Sequence, residues 1–320
     1  MLKLVAAFVV GTAMMMAAPL RAEETKQTDV VAIIPPLAAY LPMMVGIKKG
    51  YYADAGINLI TNDNIAGGQI IPSVLSGDVQ VSGLIWPFIA IAGSQGLPLK
   101  VISALAVGGD TTETDDQQLV VLASSDIKTA ADLAGKTIAV NTLKGLSDIQ
   151  VRNIAELAGL SADSVKLTPV LIPNMLGLLR SGAIDGAAII EPFLTAAKEQ
   201  EEIRVIAGTN ASLQKSEPSS IIFTSQDFID KNPELVVRFQ EATIKATEYA
   251  ADPANEAEMR KLLLEFTKTP ADIAEKMTLP RFRPFHDMKV VQEQIDFFVK
   301  YGILENKVDM AQFNAQLPQQ

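Results

Sequence analysis

Short, continuously apolar runs alternate with helical segments along most of the chain, and this alternation constrains the fold more than any other feature. The runs fall at 30–34, 57–60, 79–85, 99–104, 119–122, 137–140, 165–172, 187–190, 203–207 and 220–223. Most are unbroken rather than alternating apolar and polar, the pattern of strands covered on both faces. Helix signals lie between them. Thr129 with Asp132 forms a capping-box start, and Ser147 opens a stretch whose apolar positions are Val151, Ile154, Ala155 and Ala158. Gly159 stands where a left-handed C-terminal residue belongs. Asn232-Pro233 and Thr269-Pro270 are start signals with proline in the first helical turn. After Phe223 no further strand is expected, and the chain reads as helical. Alternation followed by helices implies an α/β protein with largely parallel sheets.

A length of 320 residues suggests two domains, at roughly 150 residues each. The absence of cysteine removes disulfides, thiolate nucleophiles, cysteine zinc sites and lipid attachment through sulfur. A formal net charge of −10 argues against nucleic acid, whose binding draws on concentrated Lys and Arg. At the amino terminus Lys3 precedes an apolar run over 4–18, and Leu20-Arg21-Ala22 follows. That is the anatomy of a cleaved signal peptide covering 1–22. The run is shorter than the roughly 20 residues a membrane span needs. A soluble, exported and periplasmic protein is expected.

Residues 69–88 overlay residues 174–193 without a gap, at an offset of 105. The overlay pairs Gln69 with Asn174, Ser76-Gly77 with Ser181-Gly182, Ile85 with Ile190 and Pro87-Phe88 with Pro192-Phe193. Each copy reads as a helix, a Ser-Gly stop, a buried strand and a proline-bearing loop. Two similar lobes are therefore expected, and open parallel sheets bind ligands beyond the carboxyl ends of their strands. Trp86 and Glu191 occupy equivalent places in the repeat and are expected to face each other across a cleft.

Further stretches carry a family resemblance. They are residues 39–57, beginning Ala39-Tyr40-Leu41-Pro42 and ending Asp54-Ala55-Gly56-Ile57; Gly67-Gly68 before a helix; Leu75-Ser76-Gly77-Asp78-Val79; Asp132-Leu133-Ala134-Gly135-Lys136; and Gly182-Ala183-Ile184-Asp185-Gly186 leading into Glu191-Pro192-Phe193. In this order they resemble the substrate-binding proteins of ABC importers, in the branch for nitrate, alkanesulfonates, taurine and thiamine-pyrimidine precursors. With Phe297-Phe298-Val299-Lys300, similar to the family's C-terminal helix, the resemblance runs from about residue 30 to 310. It implies the two-lobed type II periplasmic-binding-protein fold, with two hinge crossings near 119–123 and 219–223. Lobe I would then be 23–118 with 224–320, and lobe II 119–223. It further implies a monomer that closes on a small molecule and delivers it to a membrane permease, with no cofactor.

Eleven residues are candidates for ligand contact. Pro36 and Tyr40 follow the first strand, and Gly67, Gly68 and Gln69 offer backbone N–H groups at a helix start, or form a plain turn. Trp86, the one tryptophan, either stacks on a flat ligand or packs in the core. The turn after the 137–140 run leads into a helix start, which favours an anionic or acceptor group. The resemblance implies that this turn contacts ligand, making Asn141, Ser147 and Asp148 its polar candidates, with Ser147 equally able to act as a cap. Asn174 pairs with Gln69 in the repeat. Glu191 ends a buried strand and needs a partner, either a ligand N–H or an internal Arg or Lys. Phe193 is expected in the core. Lys144 is the one basic residue in these loops, which disfavours doubly charged anions.

Catalysis and metal binding find little support. His286, the single histidine, reads as a surface or packing residue, and no Gly-x-Ser-x-Gly elbow occurs. Asp115-Asp116 and residues 199–202 read as solvated acidic runs rather than ligand clusters. The expected function is capture of a small organic molecule, neutral or singly charged, with aromatic, heterocyclic and sulfonate classes open. Two alternatives stay open: an enzyme of the thiamine-pyrimidine synthase type, whose cysteine-rich motif this chain lacks, and a sensor coupled to a membrane receptor.

Overall fold

The computed structural model describes residues 27–62, 67–315 and 317; the expected signal peptide, residues 1–22, lies outside the described residues. Eleven strands are found among the described residues: β1 (Thr28–Ile33), β2 (Ile57–Thr61), β3 (Val81–Leu84), β4 (Leu99–Val107), β5 (Gln117–Leu122), β6 (Thr137–Val140), β7 (Lys166–Pro169), β8 (Gly186–Ile190), β9 (Ile203–Gly208), β10 (Pro218–Ser225) and β11 (Arg281–Phe282). They form two sheets, one in the order β11-β4-β10-β3-β1-β2 and one in the order β7-β6-β8-β5-β9. No helix among the described residues is long and apolar enough to cross a membrane.

Both faces of each sheet are covered, as the unbroken apolar runs require. On one side of the six-stranded sheet, helices Ile70–Ser76, Trp86–Ser94 and Met288–Lys300 bury Val74, Ile89, Val291, Ile295 and Phe298 against Phe223. On the other, Leu41–Lys48 and Pro233–Ala251 pack Met43 and Phe239 around Tyr52, whose ring stacks on Phe239 at 5.2 Å. The five-stranded sheet is covered by helix Leu146–Leu157 through Val151 and Ile154, and on its opposite face by Ile172–Arg180 through Met175 and Leu179.

The local signals act as their chemistry dictates, with small shifts. Thr129 and Asp132 do form a reciprocal capping box, but on the one-turn 3-10 segment Ala130–Leu133. Gly159 takes a φ of 80° just after helix Leu146–Leu157, and Ser147 lies inside that helix rather than before it. The two repeat copies share one layout: Gly77 and Gly182 both take left-handed φ, of 84° and 69°, each between a helix and a strand. The 165–172 run is divided, its first half forming β7 and Ile172 opening a helix. A strand also follows Phe223 after all, the two-residue β11 at the sheet edge.

Strand directions set the relation between the sheets. β10 runs antiparallel to both β3 and β4, so β4 ends on the same edge as β1 and β3. In the other sheet β5 runs antiparallel to β8, with Gln117 opposite Ile190, so β5 starts where β6 and β8 end. The chain leaves β4 at Val107 and enters β5 at Gln117, then returns from β9 at Gly208 to β10 at Pro218. Both passages connect carboxyl edge to carboxyl edge. The loop-bearing edges of the two sheets therefore face each other.

This corrects the expected crossings. Residues 119–123 overlap β5, and 219–223 lie within β10, which pairs with β3 and β4 of the first sheet. The passages are the polar segments 108–116 and 209–217, so a lobe boundary at 223 would cut through a strand. Pairing along Pro218–Ser225 with β4, carried through several register shifts, is the physical reason.

Candidate functional site

The facing edges are built from the turns that follow β1, β3, β6 and β8. Pro36 is exposed just after β1. Tyr40 is buried behind it, its hydroxyl donating to the Leu84 carbonyl at 2.9 Å. That bond joins the β1 turn to the end of β3. Burial raises the Tyr40 phenol far above its ordinary value. Gly83 makes the approach possible, since a Cβ there would lie 2.4 Å from the Tyr40 ring and 2.6 Å from Pro35 Cδ. Gly67–Gln69 forms a 3-10 turn ahead of helix Ile70–Ser76, with Gly68 and Gln69 exposed.

On the opposite edge, Asn141 is exposed after β6, and its Oδ1 accepts from the Ser147 hydroxyl at 2.8 Å. Ser147 in turn accepts from Gln117 Nε2 at 3.1 Å and is buried. Asp148 is 3% exposed and fully engaged: it accepts from the Lys144 backbone N–H at 2.9 Å and from Arg152 Nε at 2.6 Å. It holds the turn, in which Lys144 takes a φ of 57°, and serves the protein rather than a ligand. Asn174 is exposed in the first turn of Ile172–Arg180.

Burial chooses the core reading for Trp86 and overturns both partners expected for Glu191. Trp86 is 1% exposed and its indole donates to His286 Nδ1 at 2.9 Å, so it does not present a stacking face. Glu191 has neither a cationic partner nor an open face. Its carboxylate accepts from the Thr195 N–H and hydroxyl at 3.0 and 2.8 Å, and from the Thr278 N–H at 3.2 Å. Thr278 comes from the chain just before β11, so Glu191 both caps helix Phe193–Glu199 and joins the two halves. Trp86 and Glu191 therefore do not face each other across a cleft. Phe193, expected in the core, is exposed instead. The candidates exposed on the facing edges are Pro36, Gly68, Gln69, Asn141 and Asn174.

A cluster missed from the sequence lies in the two passages. Asp115 is fully buried, accepting from Asn210 Nδ2 at 2.7 Å and the Ala211 N–H at 2.9 Å. The same Asn210 amide reaches Asp116 at 2.9 Å. Glu217 is buried between two amides, Gln150 Nε2 from helix Leu146–Leu157 and Gln294 Nε2 from helix Met288–Lys300, each at 3.0 Å. No lysine or arginine among the described residues hydrogen-bonds to these three carboxyls. Burial pushes Asp115 up to about 6, and burial with the neighbouring Asp115 and Glu191 pushes Asp116 to about 7. Burial pushes Glu217 to about 8. Buried Asp115, with half-buried Asp116 beside it, is thus a tie between the passages rather than part of a solvated run. Its composition gave no sign, because the burying partners are about 95 residues away.

Two α/β halves with opposed carboxyl edges define a two-lobed binding-protein fold. The family model described as NMT1/THI5 like matches residues 38–257, more than half of the chain, and the chain belongs to that family. The structure is similar to the periplasmic aliphatic sulphonate binding protein SsuA from Escherichia coli, with a TM-score of 0.75 and 18% identity, covering 91% of this chain and 93% of that one. The sequence is 28% identical over 192 residues to a taurine-binding periplasmic protein of Escherichia coli K12, covering 59% of this chain and 56% of that protein. It is 24% identical over 250 residues to the bicarbonate transport ATP-binding protein CmpC of Synechococcus elongatus, covering 71% of this chain and 36% of the relative. The chain thus spans little more than a third of the length of that curated relative.

Proposed function

We propose that this protein is a solute receptor of an ABC importer, which captures a small organic molecule between its two facing edges and passes it to a membrane permease. The observation that carries the reading is the pair of edge-to-edge passages, β4 to β5 and β9 to β10, which set two ligand-binding edges against each other. A cleft of this kind surrounds a solute, and closure removes it from water. The solute's greater affinity for the closed arrangement drives the change. The ligand is neutral or singly charged, because Lys144 is the one basic residue in these turns. Pro36, Gly68, Gln69, Asn141 and Asn174 are the proposed polar and backbone contacts. The protein works as a periplasmic monomer after removal of residues 1–22, and binds without catalysis.

Thermal unfolding of the refolded chain against a solute panel tests the reading. A solute at 100 times its dissociation constant stabilises by about 2.7 kcal/mol. One strong upward shift supports the proposal. A flat response across alkanesulfonates, taurine, nitrate, aromatic acids, pyrimidines and flavins, together with no small molecule released on denaturing the freshly purified protein, contradicts it.

A further inference from the structure

Large apolar side chains scattered singly over a surface need no explanation, but their concentration along two facing edges does. Five such side chains are exposed just beyond strands that end on the facing edges: Leu37 after β1, Phe88 after β3, Leu143 after β6, Leu171 after β7 and Phe193 after β8. Elsewhere among the described residues only Ile60, Leu157, Leu264 and Phe285 are comparably exposed. The same turns are almost free of charge. They hold Lys144 and Glu191, and Glu191 is occupied by Thr195 and Thr278.

Two of the five are related by the internal repeat. Phe88 and Phe193 each follow a proline and stand in the first turn of the helix after a strand, one in each half of the molecule. They are 50% and 40% exposed, although each neighbours residues that are fully packed, Ile89 and Leu194 at 0%. The helices are seated by those neighbours, so the phenyl rings are not needed for the core.

We propose that Phe88 and Phe193 are the two jaws of the cleft and that its ligand has a flat aromatic body carrying at most one negative charge. This rests on the solute-receptor reading and narrows it to a ligand class. Closure covers both rings and the neighbouring leucines with the ligand's own apolar surface, which repays their exposure in the open form. Ring faces prefer offset-stacked or edge-on aromatic partners, so the jaws discriminate a flat ring from an aliphatic body of equal size and charge. A small hydrophilic anion would leave both rings wet and would find a single lysine. The edge chemistry is thus matched to a mostly apolar solute.

Isothermal titration of the refolded chain with 2-naphthoate, benzoate, cyclohexanecarboxylate, taurine and nitrate tests this. The expected result is binding of 2-naphthoate and benzoate, at least about tenfold tighter than cyclohexanecarboxylate, taurine or nitrate. Phe88→Ala and Phe193→Ala should each weaken the aromatic acids by about tenfold while leaving the melting temperature of the empty protein in place. Phe193→Tyr, which keeps the ring, should retain binding. If taurine or nitrate binds most tightly, the aromatic class is overturned while the receptor reading stands. Aromatic binding that is unchanged in both alanine variants overturns the jaws. Failure of every aromatic acid to bind also overturns the inference, and the receptor reading is then decided separately by the mass of any solute released from the native protein.

Discussion

The indole of Trp86 and the imidazole of His286 are joined by a 2.9 Å hydrogen bond, and the far nitrogen of that imidazole lies 2.8 Å from the Ala106 carbonyl. An indole N–H can only donate, so Nδ1 of His286 is the acceptor and Nε2 carries the proton. The ring is neutral, and burial pushes its pKa down to about 4. Through this link the helix that starts at Trp86 is fixed to the end of β4, and with it the position of the β3 turn at the facing edge.

Replacing Trp86 by Phe should therefore cost stability rather than affinity. The His286 Nδ1 acceptor loses its donor in a half-buried site, a loss of about 0.5–1.5 kcal/mol. Urea unfolding reads this directly. A variant that unfolds like the parent but loses solute binding would instead make Trp86 a ligand residue.

The carboxyls of the two passages predict an unusual pH profile. Asp115, Asp116 and Glu217 titrate at about 6, 7 and 8 in the folded chain, above their ordinary carboxyl values. Between those ordinary values and pH 8 the folded state holds more protons than the unfolded one, so stability falls as pH rises through the window. His286 acts in the opposite sense, but only between about 4 and 6.5. The melting temperature should therefore drop from about pH 6.5 to about pH 8.5. Glu217→Gln should flatten that drop and raise the melting temperature at the alkaline end. A melting temperature that climbs over this interval contradicts the assignment.

Gly83 is a second structural test. A methyl group there meets the Tyr40 ring at 2.4 Å and Pro35 at 2.6 Å, both part of packed surroundings. Gly83→Ala should destabilise by roughly 1–3 kcal/mol through forced displacement of the β1 turn. Solute affinity should fall with it, because Pro36 moves with Pro35.

Glu191→Ala removes the acceptor shared by Thr195 and Thr278. Loss of the helix cap alone costs about 1 kcal/mol. Amide hydrogen exchange should speed up at Thr195 and also at Thr278, 83 residues further along the chain. Faster exchange at Thr195 alone would mean that the contact between the halves is absent in solution.

The strand pattern and the Gly-stop repeat were legible because they are local: β-branched runs and left-handed glycines depend on their own neighbours. The resemblance misplaces the passages because it does not say where strand pairing begins. Gln117-Gln118 and Pro218-Ser219 resemble loop sequence, yet all of them lie in strands. Trp86 was ambiguous for a different reason, since its partner His286 lies 200 residues away. Glu191 showed its need for a partner but not which one, as Thr278 is equally remote from any motif. Phe193 looked apolar and therefore internal, while Leu194 beside it had already taken the core position.

The central claim is that the two facing edges close on a solute. A cysteine-free chain allows spin labels to be placed at will, and Gln95→Cys with Ala183→Cys puts one exposed label on each half. The label-to-label distance should shorten by several ångströms when the solute that raises the melting temperature is added, and return when it is removed. A distance distribution unchanged by that solute would contradict closure between the lobes.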